Sequence, residues 1–154
     1  MLFRSLASTP EGVVSYVDAD LRDVTAVLAS SARTLDLAKP VALIMLGVLG
    51  HIDDQGAARS ITSQLMDALP SGSYLAIADG VAASEQVSSA QRRYNESARV
   101  PYHLRRPDQL ASFFDGLDLI EPGVVPCPQW KPDTAGAGAP PDEAAAYCGV
   151  ARKP

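Results

Sequence analysis

Apolar and polar positions alternate in blocks along this chain, and the blocks differ in period. After Pro40 the residues Val41 to Leu46 are all apolar. The run is too short for an ordinary helix and has no polar alternation, so it predicts a strand buried on both faces, as in parallel sheets covered by helices. YLAIAD, residues 74–79, reads as a second buried strand, and the β-branched VVSYV, residues 13–17, as a short earlier one. Between the first two, residues 55–69 place Ile61, Leu65, Met66 and Leu69 at helical spacing, and PSGS stops that helix. A short helix is predicted over 24–31. A polar helical segment runs over 84–99, with Ser84 and Glu85 suited to its start. RPDQLASFFDGL opens a further helix, with Pro107 in its first turn, an apolar face of Leu110, Phe113 and Phe114, and Gly116 after its end.

The ends of the chain follow other rules. Residues 1–8 resemble the tail of an amphipathic helix, and TPEG after them is a turn. Residues 117–127 predict a strand broken by Pro122 and Gly123, which suits an edge or a bulge. Residues 131–146, with TAGAGAPP inside, predict a flexible loop, and residues 145–153 a last strand. Strands alternating with helices imply a parallel sheet with right-handed crossovers, and two late strands joined by a loop imply an antiparallel finish. The expected fold is a three-layer α/β sandwich over a single domain, residues 1–154, with a mostly parallel sheet and an antiparallel C-terminal strand pair. A length of 154 residues suits one core of this kind.

Composition narrows the partners. Hydrophobic residues make up 47% and charged ones 20%, an ordinary globular balance. A net charge of −5 argues against a nucleic-acid backbone as main partner. No apolar stretch reaches the length of a membrane span and no signal peptide is evident, which predicts a soluble cytoplasmic domain. Cys127 and Cys148 are too few for a disulfide framework, lack metal-ligand spacing, and are expected to be reduced and partly buried.

Candidate chemistry gathers where the first long strand ends. Gly47, Gly50, His51, Asp53 and Asp54 follow it, at the end of a strand where open α/β sheets bind ligands. The two glycines either admit a ligand close to the backbone or only let the chain turn. His51 is either a general base or a helix-start residue at a pocket rim. Asp53 and Asp54 are neighbours in sequence, so a helix-dipole role is the default over a shared metal. Tyr94 and Tyr102 line a substrate pocket or pack the late helix. His103 positions an acceptor or is structural. Arg105 and Arg106 bind an acidic acceptor or form a solvated surface, and Trp130 covers the end of the sheet.

YVDADLRD, then PVALIMLGVLGHIDD, then LPSGSYLAIADG, in this order, resembles the class I S-adenosylmethionine-dependent methyltransferases. More narrowly, RRYNESARVPYHLRRPDQLASFFDGLDLIEPGVVPCPQWKPD resembles an actinobacterial S-adenosyl methyltransferase family formerly of unknown function. The resemblance spans nearly all of the chain, and residues 94–133 are its most specific part. It implies a Rossmann-like fold and S-adenosyl-L-methionine as cofactor. In such enzymes an aspartate after the third strand accepts a hydrogen bond from the adenine amino group and the next backbone N–H meets the ring. Asp20 and Leu21 hold those places, the alternative for Asp20 being a cap or turn residue beside Asp23. The turn beside the methionine portion corresponds to residues 46–51, which makes Leu46, Gly47, Val48 and His51 the other candidate cofactor contacts.

The family pattern also begins with a strand, a glycine-rich turn, a helix and a second strand ending in an acid. Nothing before Asp18 supplies these elements. The resemblance therefore implies the C-terminal part of a methyltransferase domain, with weak cofactor binding and an acceptor that is not specified. A homodimer could cover the gap. A non-catalytic remnant that binds or oligomerises is the first alternative, and a different α/β enzyme using the same crevice is the second. Methyl transfer depends chiefly on proximity and alignment, so no base need be visible in the sequence.

Overall fold

The computed structural model describes residues 14–130 and 145–154. In chain order its main elements are α1 (Val24–Ser31), β1 (Ala42–Leu46), α2 (Gln55–Asp67), β2 (Tyr74–Gly80), α3 (Glu85–Ser97), α4 (Pro107–Ala111), β3 (Asp118–Leu119), β4 (Val125–Pro126) and β5 (Ala146–Arg152). Single 3-10 turns follow β1 (Leu49–His51), α4 (Ser112–Phe114) and β4 (Cys127–Gln129). The strands form one mixed sheet in the order β1-β2-β5-β3, with β4 also paired to β5. The architecture is α/β, as the sequence predicts. Among the described residues, however, the one parallel strand pair is β1–β2 and the other strand pairs are antiparallel, with a single isolated parallel bridge between Val81 and Arg105.

The predicted strand over residues 13–17 does not form: residues 14–17 carry no secondary structure, and residue 13 lies outside the described part. β-branched composition favours a strand only where a pleated neighbour exists to pack against. Here Val14 and Tyr16 are exposed. The last strand is not an edge. β5 lies between β2 and the short β3 and β4, in register Leu75↔Ala151 and Ile77↔Gly149. The expected break at Pro122 and Gly123 separates β3 from β4, with Gly123 at φ +88. The expected loop over residues 131–146 falls outside the described residues up to 144, and Ala146 already belongs to β5. The predicted helix tail over residues 1–8 and the TPEG turn also lie outside them.

Alternation along the central strands decides where the core sits. Leu43 and Met45 of β1 stand on the same face as Leu75 and Ile77 of β2, with which they are in register. α2 lies against this face and buries Ala58, Ile61, Thr62, Leu65 and Met66. Leu110, Phe113 and Phe114 from α4 and its 3-10 turn extend the same core under β5. A side chain at Gly149 would press on Phe114 and Val124, so glycine there suits the close approach of these side chains to β5. The opposite face of β1 departs from expectation: Ile44 is 59% and Leu46 63% exposed, so this strand is buried on one face rather than two. Among the described residues β1 pairs only with β2.

The helices begin as their capping residues predict. Asp23, Asp54 and Ser84 each accept a hydrogen bond from the third backbone N–H beyond, on Ala26, Ala57 and Val87. The C-terminus of α2 is held from the far end of the chain. Lys153 Nζ donates to the carbonyls of Met66 (2.9 Å), Asp67 (3.2 Å) and Leu69 (2.6 Å), placing a cation at the C-terminal end of the helix. Lys153→Met keeps much of the apolar stem and removes these bonds. Urea denaturation is expected to show a loss of about 1–2 kcal/mol, and an unchanged midpoint would contradict this anchoring.

Candidate functional site

The parallel strands β1 and β2 end side by side, and the segment from Gly47 to Ile52 crosses over their C-terminal ends. Gly47 N–H donates to the Ala78 carbonyl at 2.8 Å, which closes β1 onto β2. Gly47 then takes φ +62, a conformation that glycine adopts without the Cβ penalty. A Cβ there would meet nothing within 4 Å, so the backbone at Gly47 faces open space. Gly50 serves a different purpose from the ligand approach considered for it. A side chain at Gly50 would fall inside the ring of Tyr102, and one at Gly80 would press on Tyr102 and Leu104. These two glycines seat a tyrosine.

Two buried ionic side chains hold the segment. Asp79, 4% exposed at the end of β2, accepts from Leu49 N–H at 2.9 Å. Arg105, 5% exposed, donates to the carbonyls of Leu49 (2.7 Å) and Ile52 (2.5 Å) and to Gln55 Oε1 (2.6 Å). Its guanidinium also lies 5.5 Å from the centroid of the Phe113 ring. Burial pushes the Asp79 carboxyl above its usual range, against the pull of the Gly80 and Leu49 N–H groups and of Arg105. Desolvation lowers Arg105, and Asp79 and Asp54 partly restore it.

The sequence reading of Arg105 as an anion binder or a solvated residue is thus corrected: it is an internal clamp. Arg106 is the exposed member of the pair and bonds Asp108 at 2.8 Å. Asp53 and Asp54 serve the helix start, Asp54 capping α2 and Asp53 accepting from Asp54 N–H. Among the described residues no group of three or more His, Cys, Asp or Glu could hold a metal ion.

Asp20 forms a turn at the other side of the segment. Its carboxylate accepts from the backbone N–H of Arg22 at 2.9 Å and from the Arg22 guanidinium at 3.3 Å. The backbone bond to Arg22 is the main reason its carboxyl lies below the usual value. Arg22 also donates to the His51 carbonyl at 3.0 Å, tying the Asp20 turn to the end of β1. The residue was not singled out from sequence, where it is one arginine among several.

Between these two turns lies a cavity of about 400 Å³ lined by Asp20, Leu21, Arg22, Val48, His51 and the apolar residues below them. A second cavity, about 390 Å³, opens on the other side of His51 and includes Gly47, Gly80, Tyr94 and Tyr102. Of the six candidate cofactor contacts, Asp20, Leu21, Val48 and His51 meet at the first cavity, and Gly47 and His51 at the second. Leu46 lines neither and is exposed on the open face of β1.

His51 is held by the loop after α3. Its Nδ1 lies 3.1 Å from the Pro101 carbonyl, and its ring meets Tyr102 edge-on at 5.1 Å. Asn95 fixes that loop by accepting from Tyr102 N–H and donating to the Tyr102 carbonyl. The Tyr102 hydroxyl accepts from Gly80 N–H at 2.9 Å, and His103 N–H donates to the Gly50 carbonyl at 2.7 Å. His103 therefore acts here through its backbone. Cys127 and Cys148 are free and partly buried. Desolvation and the neighbouring Cys127 push the Cys148 thiol up to about 12.

With this geometry in place, comparison with known proteins gives the class. Residues 3–154 match the family model described as S-adenosyl methyltransferase, and the chain belongs to that family. A crystal structure of a DUF574 family protein from Streptomyces avermitilis superposes with a TM-score of 0.87 at 40% identity, covering 97% of this chain and 58% of that one. A candidate methyltransferase from Thermobifida fusca superposes at 0.77 with 27% identity, covering 88% and 52%. The chain thus spans a little over half the length of these solved relatives. No functionally curated protein matches it. No helix among the described residues is long and apolar enough to cross a membrane.

Two measurements test this description. Arg105→Met takes the guanidinium donors from the Leu49 and Ile52 carbonyls, of which Leu49 keeps only the Ile52 N–H, and leaves Asp79 without its counter-charge; it is expected to cost about 2–4 kcal/mol in urea unfolding. A cost under about half a kcal/mol would mean the clamp is not needed. Cys148 is expected to resist iodoacetamide at pH 8, because a thiol at about 12 is almost wholly protonated there. Rapid alkylation at Cys148, followed by mass spectrometry, would contradict that environment.

Proposed function

We propose that this chain carries the part of an S-adenosyl-L-methionine-dependent methyltransferase that holds one side of the methyl donor and faces the acceptor. The observation that supports it best is the convergence of Asp20, Leu21, Val48 and His51 on one cavity beside β1 and the segment that follows its C-terminal end, the end of a strand where α/β sheets bind ligands.

The residues present suit the donor at both of its ends. Asp20 is an exposed carboxylate at the rim of a cavity whose deeper wall is apolar, including Leu21, Leu43 and Met45. A carboxylate acceptor beside apolar surface matches an aminopurine, with its exocyclic N–H donors and flat ring. Gly47 offers open backbone at the sulfur end of the donor, beside His51 where the two cavities meet. When bound, the donor supplies a methyl group on a sulfonium, an electrophile that needs only an aligned nucleophile. The chain's own contribution is then positional. Asp79 and Arg105 fix the Gly47–Ile52 segment, Arg22 fixes the distance from that segment to Asp20, and the apolar wall excludes water from one side.

Binding is expected to be weak. The cavity is open, and the Asp20 carboxylate already accepts from Arg22. A dissociation constant for S-adenosylhomocysteine in the millimolar range, about −4 kcal/mol, is expected from isothermal titration. Asp20→Ala should weaken it severalfold further while leaving the unfolding midpoint unchanged, since the side chain is exposed. Titration without detectable heat at millimolar ligand, or binding indifferent to Asp20→Ala, would overturn the reading.

A further inference from the structure

We infer that the cavity on the far side of His51 takes an uncharged aromatic acceptor bearing a hydroxyl group, and that Nε2 of His51 receives the proton of that hydroxyl. The inference rests on the donor assignment above and adds the class of acceptor and a catalytic residue to it.

The argument begins with a tautomer. Nδ1 of His51 lies 3.1 Å from the Pro101 carbonyl oxygen, which can only accept a hydrogen bond. In the neutral ring Nδ1 must therefore carry the hydrogen, and the lone pair belongs to Nε2. The imidazole is set in place by its contact with Tyr102, and Asn95 and Gly80 in turn fix Tyr102. His51 stands between the two cavities and lines both. A base at that boundary lies between a donor on one side and a nucleophile on the other.

The second cavity specifies the nucleophile. Its walls include Val87, Gln91 and Tyr94 from α3 and Tyr102 and Leu104 from the loop after it. Among the described residues no Asp, Glu, Lys or Arg lines it. It continues into a wider groove of about 960 Å³ along α3, whose described lining is also uncharged. Against the described lining an ammonium or a phosphate would find no counter-charge, which is costly where water is displaced. A neutral planar ring finds aromatic and aliphatic walls instead. Tyr94 is 62% exposed, a large ring standing open beside the cavity.

Of the described lining, Gln91, Tyr94 and Tyr102 offer neutral amide or hydroxyl groups, and His51 is the residue whose ring nitrogen offers a basic lone pair. A phenol loses its proton near pKa 10, against 15.7 for water, so imidazole can receive it during attack at far smaller cost than from an aliphatic alcohol. The balance is simple. The hydroxyl oxygen forms a bond to the methyl carbon as that carbon's bond to sulfur breaks, and the bonding pair stays on sulfur. The hydroxyl proton passes to Nε2 and then to solvent.

The test uses the whole chain uniformly labelled with nitrogen-15, so that the backbone amides and both ring nitrogens of each histidine report. Only two histidines are present, so His51→Gln assigns the His51 signals. Long-range proton–nitrogen spectra are expected to show Nε2 as the unprotonated nitrogen of neutral His51. The opposite tautomer would overturn the inference. In the same sample 2-naphthol, a neutral phenol, is expected to shift the signals of His51 and Tyr94, and Tyr94→Ala to weaken it about fivefold. 1-Naphthylmethylamine, a cation of similar shape, is expected to bind more weakly. No shift with 2-naphthol at millimolar concentration, or equal binding of the amine, would overturn the inference. S-adenosylhomocysteine added separately reports at Asp20, Leu21 and Val48. Its binding without that of 2-naphthol would sink the acceptor inference alone, whereas the reverse would sink the donor reading.

Discussion

A buried guanidinium holding two backbone carbonyls is the constraint on which the rest of this structure depends. The segment after β1 leaves the sheet through a left-handed glycine and passes through a single 3-10 turn, so its own hydrogen bonds are few. Arg105 supplies donors to the carbonyls at both ends of the turn, and Asp79 supplies an acceptor to its Leu49 N–H. Because both groups are buried, neither can be satisfied by water, and each is costly without the other. The segment is therefore fixed to the end of β2 and to the start of α4, and Gly47, Val48 and His51 are fixed with it.

Two further ties turn a held segment into the shared wall of two cavities. Arg22 joins the segment to the Asp20 turn on one side. The loop after α3, anchored by Asn95 and seated on Gly50 and Gly80 through Tyr102, joins it on the other. His51 is the one candidate residue common to both cavities. The two cavities thus rest on one structural unit, and a disturbance of Arg105 should be felt in both.

Much of the fold was legible because its signals were local. The apolar run of β1, the helical spacing of Ile61, Leu65 and Met66, and the caps at Asp54 and Ser84 each report on nearby backbone. Asp20, Leu21, Val48 and His51 were singled out through the resemblance of their motifs, and they line one cavity. What was not legible depends on contacts distant in sequence. Arg105 and Arg106 look alike in the chain, yet one reaches carbonyls 53 and 56 residues away and the other bonds its neighbour Asp108. Gly50 shows only that a side chain is absent, not that Tyr102 fills the space. The propensity of residues 14–17 for a strand has no partner among the described residues to realise it.

The central claim is that the Gly47–Ile52 segment, clamped by Asp79 and Arg105, is the wall against which the methyl donor lies. A crystal structure of the chain soaked at high concentration in S-adenosylhomocysteine tests it most directly. The account predicts the adenine within hydrogen-bond reach of Asp20 and the sulfur beside Gly47 and His51. Ligand density elsewhere, for example in the cleft lined by Arg59, Thr62 and Lys153 on the far side of α2, with none at Asp20, would contradict it.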